Sequence, residues 1–393
     1  MPMLTQSPHD PSFIQTPYPF YDQARAAGPV VFWKDYGMLA AFDHATVHAL
    51  LRDKRLGRAV PDMRKTPVPE HLSAFHAVER HSLLELEPPA HTRLRRLVLH
   101  AFTSRRIAGL GPDIHAICAD LLARMPRDRC DLIPTYCQLV PVRVIARLLG
   151  VPEALAPDLL CWSSAMVAMY QAGRTRGVED AANTAAVEFA DFLRGYIERR
   201  RMDPADDLIS ELITAQDDTG ALSPDEMIAT IVLLLNAGHE ATVHSLGNAV
   251  KCLIETDTTD ALGRGGIDNT VEELLRFTPP LHMFTRYAYE TLEVGGHTMN
   301  PGDEIALMLG AAGRDPAVFA NPHQFDPTRP KPAHLAFGGG LHFCVGAPLA
   351  RLEMQIALPA LFNAFPNLQI TETPMFADSY HFHKLDRLMV SLG

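Results

Sequence analysis

The chain has 393 residues, 47% of them hydrophobic and 21% charged, with a formal net charge of −11; these ordinary globular proportions exclude a disordered or fibrous chain. The negative balance excludes nucleic acid as a general partner, because binding phosphate requires a basic field. Residues 1–20 hold no basic-then-apolar leader, and the apolar run 228–238 is far shorter than the ~20 residues that span a bilayer, so a cytoplasmic protein without a membrane anchor is expected.

No Ser/Gly-rich linker or charge run divides the chain, and one domain over 1–393 is expected. Pro29-Val30-Val31-Phe32-Trp33 and Met38-Leu39-Ala40-Ala41-Phe42 flank a Gly37 turn and predict a hairpin, after which Asp43 caps a helix through Leu51. Arg93, Arg95, Arg96, Arg105 and Arg106 concentrate positive charge, with Arg351 far along the chain. Such a run reads either as a solvated helix face or as a dock for an acidic electron-transfer protein. From Ser104 to about Arg201 apolar residues recur at helical spacing, with breaks near Pro126, at Gly150-Val151-Pro152 and at Gly173-Arg174.

Ser223-Pro224-Asp225-Glu226 combines a Ser cap, Pro in the first turn and Glu three residues after the cap, and opens a helix to about Leu253. Its first half is apolar, so it must cross the core. The middle reads Ala237-Gly238-His239-Glu240-Ala241-Thr242. Gly costs about 1 kcal/mol against Ala in a helix, and a buried charge costs more, so these residues call for a compensating role. Glu273-Leu274-Leu275-Arg276 sets opposite charges on one helix face. Beyond it, Tyr287-Ala288-Tyr289 and Thr291-Leu292-Glu293-Val294 with the Gly295-Gly296 turn read as short strands. The expected class is mainly α with a smaller β-rich part, α+β, its β-rich portions near 29–42 and 281–310.

Six scattered cysteines, Cys118, Cys130, Cys137, Cys161, Cys252 and Cys344, show neither metal-type pairing nor a covalent haem attachment site. Cys344 ends the run Phe337-Gly338-Gly339-Gly340-Leu341-His342-Phe343-Cys344-Val345-Gly346, at the mouth of a helix. Amide N–H groups and the positive helix end favour a thiolate there. A soft anionic sulfur so presented suits haem iron, where its electron donation favours O–O cleavage.

The pattern Phe-x-x-Gly-x-x-x-Cys-x-Gly over residues 337–346 resembles the haem-binding signature of the cytochrome P-450 superfamily, with every position filled. The resemblance spans about residues 29–366. It implies a fold whose long central helix crosses the core over a non-covalent haem b, with Cys344 as metal ligand and Phe337, Gly338 and Gly346 of the loop as cofactor-binding residues. His91 and Arg95, in Pro88-Pro89-Ala90-His91-Thr92-Arg93-Leu94-Arg95-Arg96, with Arg286 and His342, are implied to bind the haem propionates; Arg suits carboxylate through its planar fork. Glu273 and Arg276, with Arg329 of Phe325-Asp326-Pro327-Thr328-Arg329, are implied to be structural. On the central helix the resemblance makes Gly238 part of an oxygen groove and Glu240 the proton-relay acid.

One departure matters. Ala241 stands where the superfamily carries the relay threonine, and the hydroxyl falls on Thr242, turned by ~100°. A substrate hydroxyl or ordered water, a locally distorted helix that brings in Thr242, or poorly coupled oxygen activation are the open accounts. Register against the family suggests Leu233, Asn236, Ala237, His282 and Phe284 as pocket-facing, with Asn236 and His282 as polar anchors; Trp162, Met166 and Met169 read as pocket roof or as core.

The implied function is a haem-thiolate monooxygenase inserting one atom of dioxygen into a small or medium-sized organic substrate. No flavin or nicotinamide segment is present, so electrons are expected from a separate ferredoxin-type donor and its NAD(P)H reductase. A peroxide-driven peroxygenase and a non-catalytic haem-binding or sensing protein are the alternatives.

Overall fold

The computed structural model describes residues 1–126, 128–170, 174–217, 220–263, 265–330, 333–380 and 382–393; the expected break at Gly173 lies outside them. The hairpin forms as Val30–Trp33 (β1) and Met38–Ala41 (β2), antiparallel with Val31 opposite Ala40. Gly37 turns between them at φ 64°, a left-handed conformation open to glycine because it has no Cβ. The pair belongs to a six-stranded sheet completed by Phe284–Ala288 (β3), Glu304–Leu307 (β4), Leu56–Gly57 and Met3–Leu4. Parallel pairing of β4 with β2 stitches the C-terminal strands to the N-terminal hairpin.

Helices make up most of the rest. Asp43 caps His44–Leu50 (α1) by accepting the Thr46 N–H. Ser73–Glu79 (α2) and Ala90–Ala101 (α3) follow, then Leu139–Leu149 (α4), Ala156–Val167 (α5) and Arg176–Met202 (α6). The Ser223 capping box forms in full and starts Pro224–Glu255 (α7), 32 residues long. α7 is buried along almost its whole length and packs on α4, α5 and Ala347–Ala364 (α9). Ile267–Phe277 (α8) lies between α7 and α9 in the chain and packs on both. Among the described residues no helix is long and apolar enough to cross a membrane.

The region 104–201 is not helical throughout. Arg129–Asp131 is a strand pairing antiparallel with Met389–Ser391, and Ile133–Cys137 is a single wide π-type turn. A three-residue strand carries no periodicity of its own; its partner near the C-terminus makes it one.

Candidate active site

The cysteine loop is shaped by two left-handed glycines, Gly338 at φ 70° and Gly340 at φ 64°. A Cβ on Gly340 would be driven into the Leu51 carbonyl oxygen, at the end of α1. The Cys344 N–H donates to the Phe337 carbonyl at 3.1 Å and closes the loop, and Gly346 stands at the N-terminal cap of α9. The amides of Gly346 and Ala347 at the mouth of α9 and the charges of Arg95 and Arg351 favour a thiolate on this sulfur. Burial outweighs these contacts and pushes the thiol pKa up. The helix mouth thus favours the thiolate as expected while burial opposes it, and a metal bound by the sulfur would displace its proton.

Around the loop lie cations with few anions. His91 on α3 is 1% exposed, its ring 4.4 Å from that of His342, and its Nδ1 has no partner among the described residues. Burial, with the neighbouring charges of His342 and Arg95, lowers its pKa to about 4. Arg286 on β3 is 3% exposed and donates to the Thr285 carbonyl at 2.8 Å. Burial first, then Arg58, pulls it down to about 10. Arg95 donates to the Phe343 carbonyl at 2.6 Å. The sequence reading missed two members of this cluster. Arg58 lies 5.7 Å from the Phe284 ring, which Arg286 also approaches at 6.0 Å. Glu87 places one carboxylate 3.0 Å from His342 Nε2 and 2.6 Å from the Arg58 backbone nitrogen. Neither sits in a local pattern; only the folded chain brings them together.

Near the middle of α7, Ala237 is exposed and Leu233, Gly238 and Ala241 are half-exposed, while residues 242–250 are all buried. Exposure at the centre of a buried helix marks an internal space beside it. Gly238 does not open that space, because a Cβ there would meet Ile145 of α4 at an ordinary 3.5 Å; the small side chains of Ala237 and Ala241 leave the room. His282 is fully enclosed and does not serve as the expected pocket anchor, whereas Asn236 is 5% exposed and its Oδ1 is buried without a partner among the described residues. His282 Nδ1 lies 2.8 Å from the Tyr21 hydroxyl, and its ring 4.5 Å from that of His383. Phe284 is half-buried between the two arginines. Trp162 donates to Glu188 at 2.8 Å and stacks on Phe189 of α6, and Met166 and Met169 are buried in the core, which removes these three from the roof.

Glu240 Oε1 lies 3.1 Å from His244 Nε2, a partner that the i,i+4 spacing would have offered. Burial would raise its pKa, but the His244 hydrogen bond and the charges of His244, His239 and Lys384 prevail and hold it at about 2. The Thr242 hydroxyl is tied to the Gly238 carbonyl at 3.2 Å and the residue is 4% exposed, so it does not replace a hydroxyl on the Ala241 face.

Beneath the loop, Arg276 holds the fully buried Glu273 through bonds of 2.6 and 2.7 Å, and Arg329 adds contacts at 3.2 Å. Three of the clustered arginines are paired with carboxylates. Arg93 pairs with Glu226 at 2.7 Å, Arg106 with Asp206 at 2.9 Å and Glu211 at 3.0 Å, and Arg351 clamps Glu272 while its guanidinium sits 4.5 Å from the Phe337 ring.

A presented sulfur, buried cations short of carboxylates and a helix that leaves an internal space define a haem-dependent oxidoreductase. A haem fits these residues: its propionates answer the unpartnered His91 Nδ1 and the buried Arg286, and the local Glu87 shows that the cluster takes a carboxylate. The Cytochrome P-450 family model matches residues 267–382. Cytochrome P-450 monooxygenase PikC of Streptomyces venezuelae is 34% identical over 386 residues, 95% of this chain and 89% of that protein. The 6-deoxyerythronolide B hydroxylase of Saccharopolyspora erythraea is 36% identical, covering 90% of this chain and 89% of its own. The solved structure of the bacillaene polyketide synthase cytochrome P-450 PksS from Bacillus subtilis superposes with a TM-score of 0.89 at 32% identity, over 99% of this chain and 100% of that one. The chain belongs to the cytochrome P-450 family. It is a haem-thiolate monooxygenase of the bacterial type with a non-covalent haem b, acting on an organic substrate with dioxygen.

Proposed function

We propose that the enzyme hydroxylates a medium-sized organic molecule in the cytoplasm, as one domain over 1–393, with electrons from a ferredoxin and its NAD(P)H reductase. The name of PksS makes polyketide-derived compounds the first class to test. The observation that carries this reading is Cys344 at the N-terminal mouth of α9, its loop closed onto Phe337, beside the cluster of His91, Arg95, Arg286 and His342.

In this reading Cys344 ligates the iron, those four residues hold the propionates, and Phe337, Gly338 and Gly346 fix the loop. When bound, haem supplies the reduction of dioxygen and the transfer of one oxygen atom. The chain positions, excludes water and meters protons. Ala237 and Ala241 leave room for substrate beside α7, with Leu233 and Phe284 as apolar lining. Glu240 holds its carboxylate ionised next to that room, and a substrate hydroxyl or ordered water spans the gap left at Ala241. Gly238 and Thr242 shape the helix and do not touch reactants. Glu273, Arg276 and Arg329 brace the core under the loop.

The electron donor docks where Leu99, Leu341 and Phe343 are exposed at 44%, 39% and 40%. Leu99 follows Arg95 by one turn of α3, and Arg95 binds the Phe343 carbonyl, so these side chains share a face with the Cys344 loop. The test is a polyketide library screened by optical spin-state shift, with each hit turned over by surrogate ferredoxin and reductase and weighed by mass spectrometry. A hit gaining one oxygen atom is expected. Hits that consume reductant and all return unchanged would overturn the reading.

A further inference from the structure

The central helix carries two buried histidines that the relay as drawn does not use. His244, one turn beyond Glu240, is 6% exposed, and its ring lies 5.7 Å from that of Phe382. Its Nε2 faces Glu240 Oε1 at 3.1 Å, and a carboxylate only accepts, so Nε2 carries the hydrogen. Its Nδ1 is buried without a partner among the described residues. His239 differs. Its Nδ1 lies 3.2 Å from Ser163 Oγ of α5 and 3.3 Å from the Leu235 carbonyl, which only accepts. Its Nε2 is 3.5 Å from Glu240 Oε2 and out of line for a hydrogen bond. Burial also disfavours a charge on this ring. Of the two, His244 is the one built to donate. Besides these histidines, Lys384 adds its charge toward Glu240 from the C-terminal segment.

We propose that His244 is the positioning residue of the proton path, fixing the Glu240 carboxylate beside the space at Ala241 and supplying it with a proton through the Nε2–H···Oε1 bond. In that step an N–H bond breaks at Nε2 and an O–H bond forms at Oε1. The imidazolium and carboxylate become a neutral pair, and no electrons move. An imidazole is suited to this because its ring nitrogens can both give and take a proton. The inference rests on Glu240 as the relay acid, and the experiment separates the two.

The haem-loaded protein is titrated from about pH 7 to about pH 4, a range bracketing the ordinary carboxylate and imidazole values, while the carboxylate infrared band absent from Glu240→Gln is followed. In parallel, substrate-free oxygen consumption driven by surrogate ferredoxin and reductase is partitioned between hydrogen peroxide and water at each pH. We expect Glu240 to stay ionised throughout in the native protein and to titrate within the range in His244→Phe, where the hydrogen bond and charge of His244 are gone and only His239 and Lys384 still oppose burial. The peroxide share should rise severalfold in Glu240→Gln, to the same extent in His244→Phe, and no further in the double variant. His244→Gln keeps a donor but cannot ionise; it should leave Glu240 ionised and flatten the pH dependence of the peroxide share. An identical Glu240 titration in native protein and His244→Phe, or an unmoved peroxide share in His244→Phe where Glu240→Gln raises it, would overturn the inference alone. An unmoved share in Glu240→Gln would remove the relay acid itself. Should His244→Phe fail to retain haem, His244→Gln decides by itself, and an unaltered pH profile rejects the proposal.

Discussion

At residue 241 a methyl group faces the internal space beside α7, and the adjacent Thr242 hydroxyl is bonded back to Gly238. Ala241→Thr places a hydroxyl there. We expect the share of consumed oxygen released as hydrogen peroxide without substrate to fall, by less than the ~100-fold that a well-placed proton donor contributes. Unchanged partition would dismiss any consequence of the missing hydroxyl. A second residue carries a pH signature. Glu79 on α2 is 8% exposed, and burial raises its pKa to about 7 despite a 2.8 Å hydrogen bond from Tyr170. The folded state thus keeps a proton that the unfolded chain has lost, and stability falls as pH rises from 4.5 to about 7. Glu79→Gln should abolish that slope and add about 1–3 kcal/mol above neutrality, measured by urea unfolding at several pH values.

At the scale of elements, α8 is tied to the loop 325–329 by one buried carboxylate serving two arginines and the Asp326 N–H. Glu273→Ala strands Arg276, itself 1% exposed. It should cost about 3–5 kcal/mol, as breaking buried pairs does, read as earlier denaturation and haem release. The elements legible in the sequence were those with local signals: the Ser223 capping box, the Asp43 cap, the Gly37 hairpin and the Cys344 loop. Arg129–Asp131 was hidden because its pairing partner lies at the far end of the chain. Arg58 and Glu87 join the cation cluster by tertiary placement alone. His282 misled because registering a helix or strand gives a direction, not what packs against it; Tyr21 and His383 occupy the space around it.

At the scale of the whole molecule, a net charge of −11 repels an acidic donor at long range, and the pairing of Arg93, Arg106 and Arg351 with carboxylates weakens steering. In the proposed reading docking then depends on the apolar patch of Leu99, Leu341 and Phe343. Leu99→Glu should slow reduction by the ferredoxin about tenfold, the ~1.4 kcal/mol of one moderate contact, with the spectrum of the carbon-monoxide complex unchanged; equal rates would move the docking site elsewhere. All scales meet at the sulfur that the loop, α9 and the cations surround. The decisive measurement is the absorption of the reduced protein under carbon monoxide, in native form and as Cys344→Ser. The far-red-displaced Soret band of an anionic sulfur donor, present in the first and lost in the second, is predicted; its absence from the native protein, or its survival in the variant, would contradict the account.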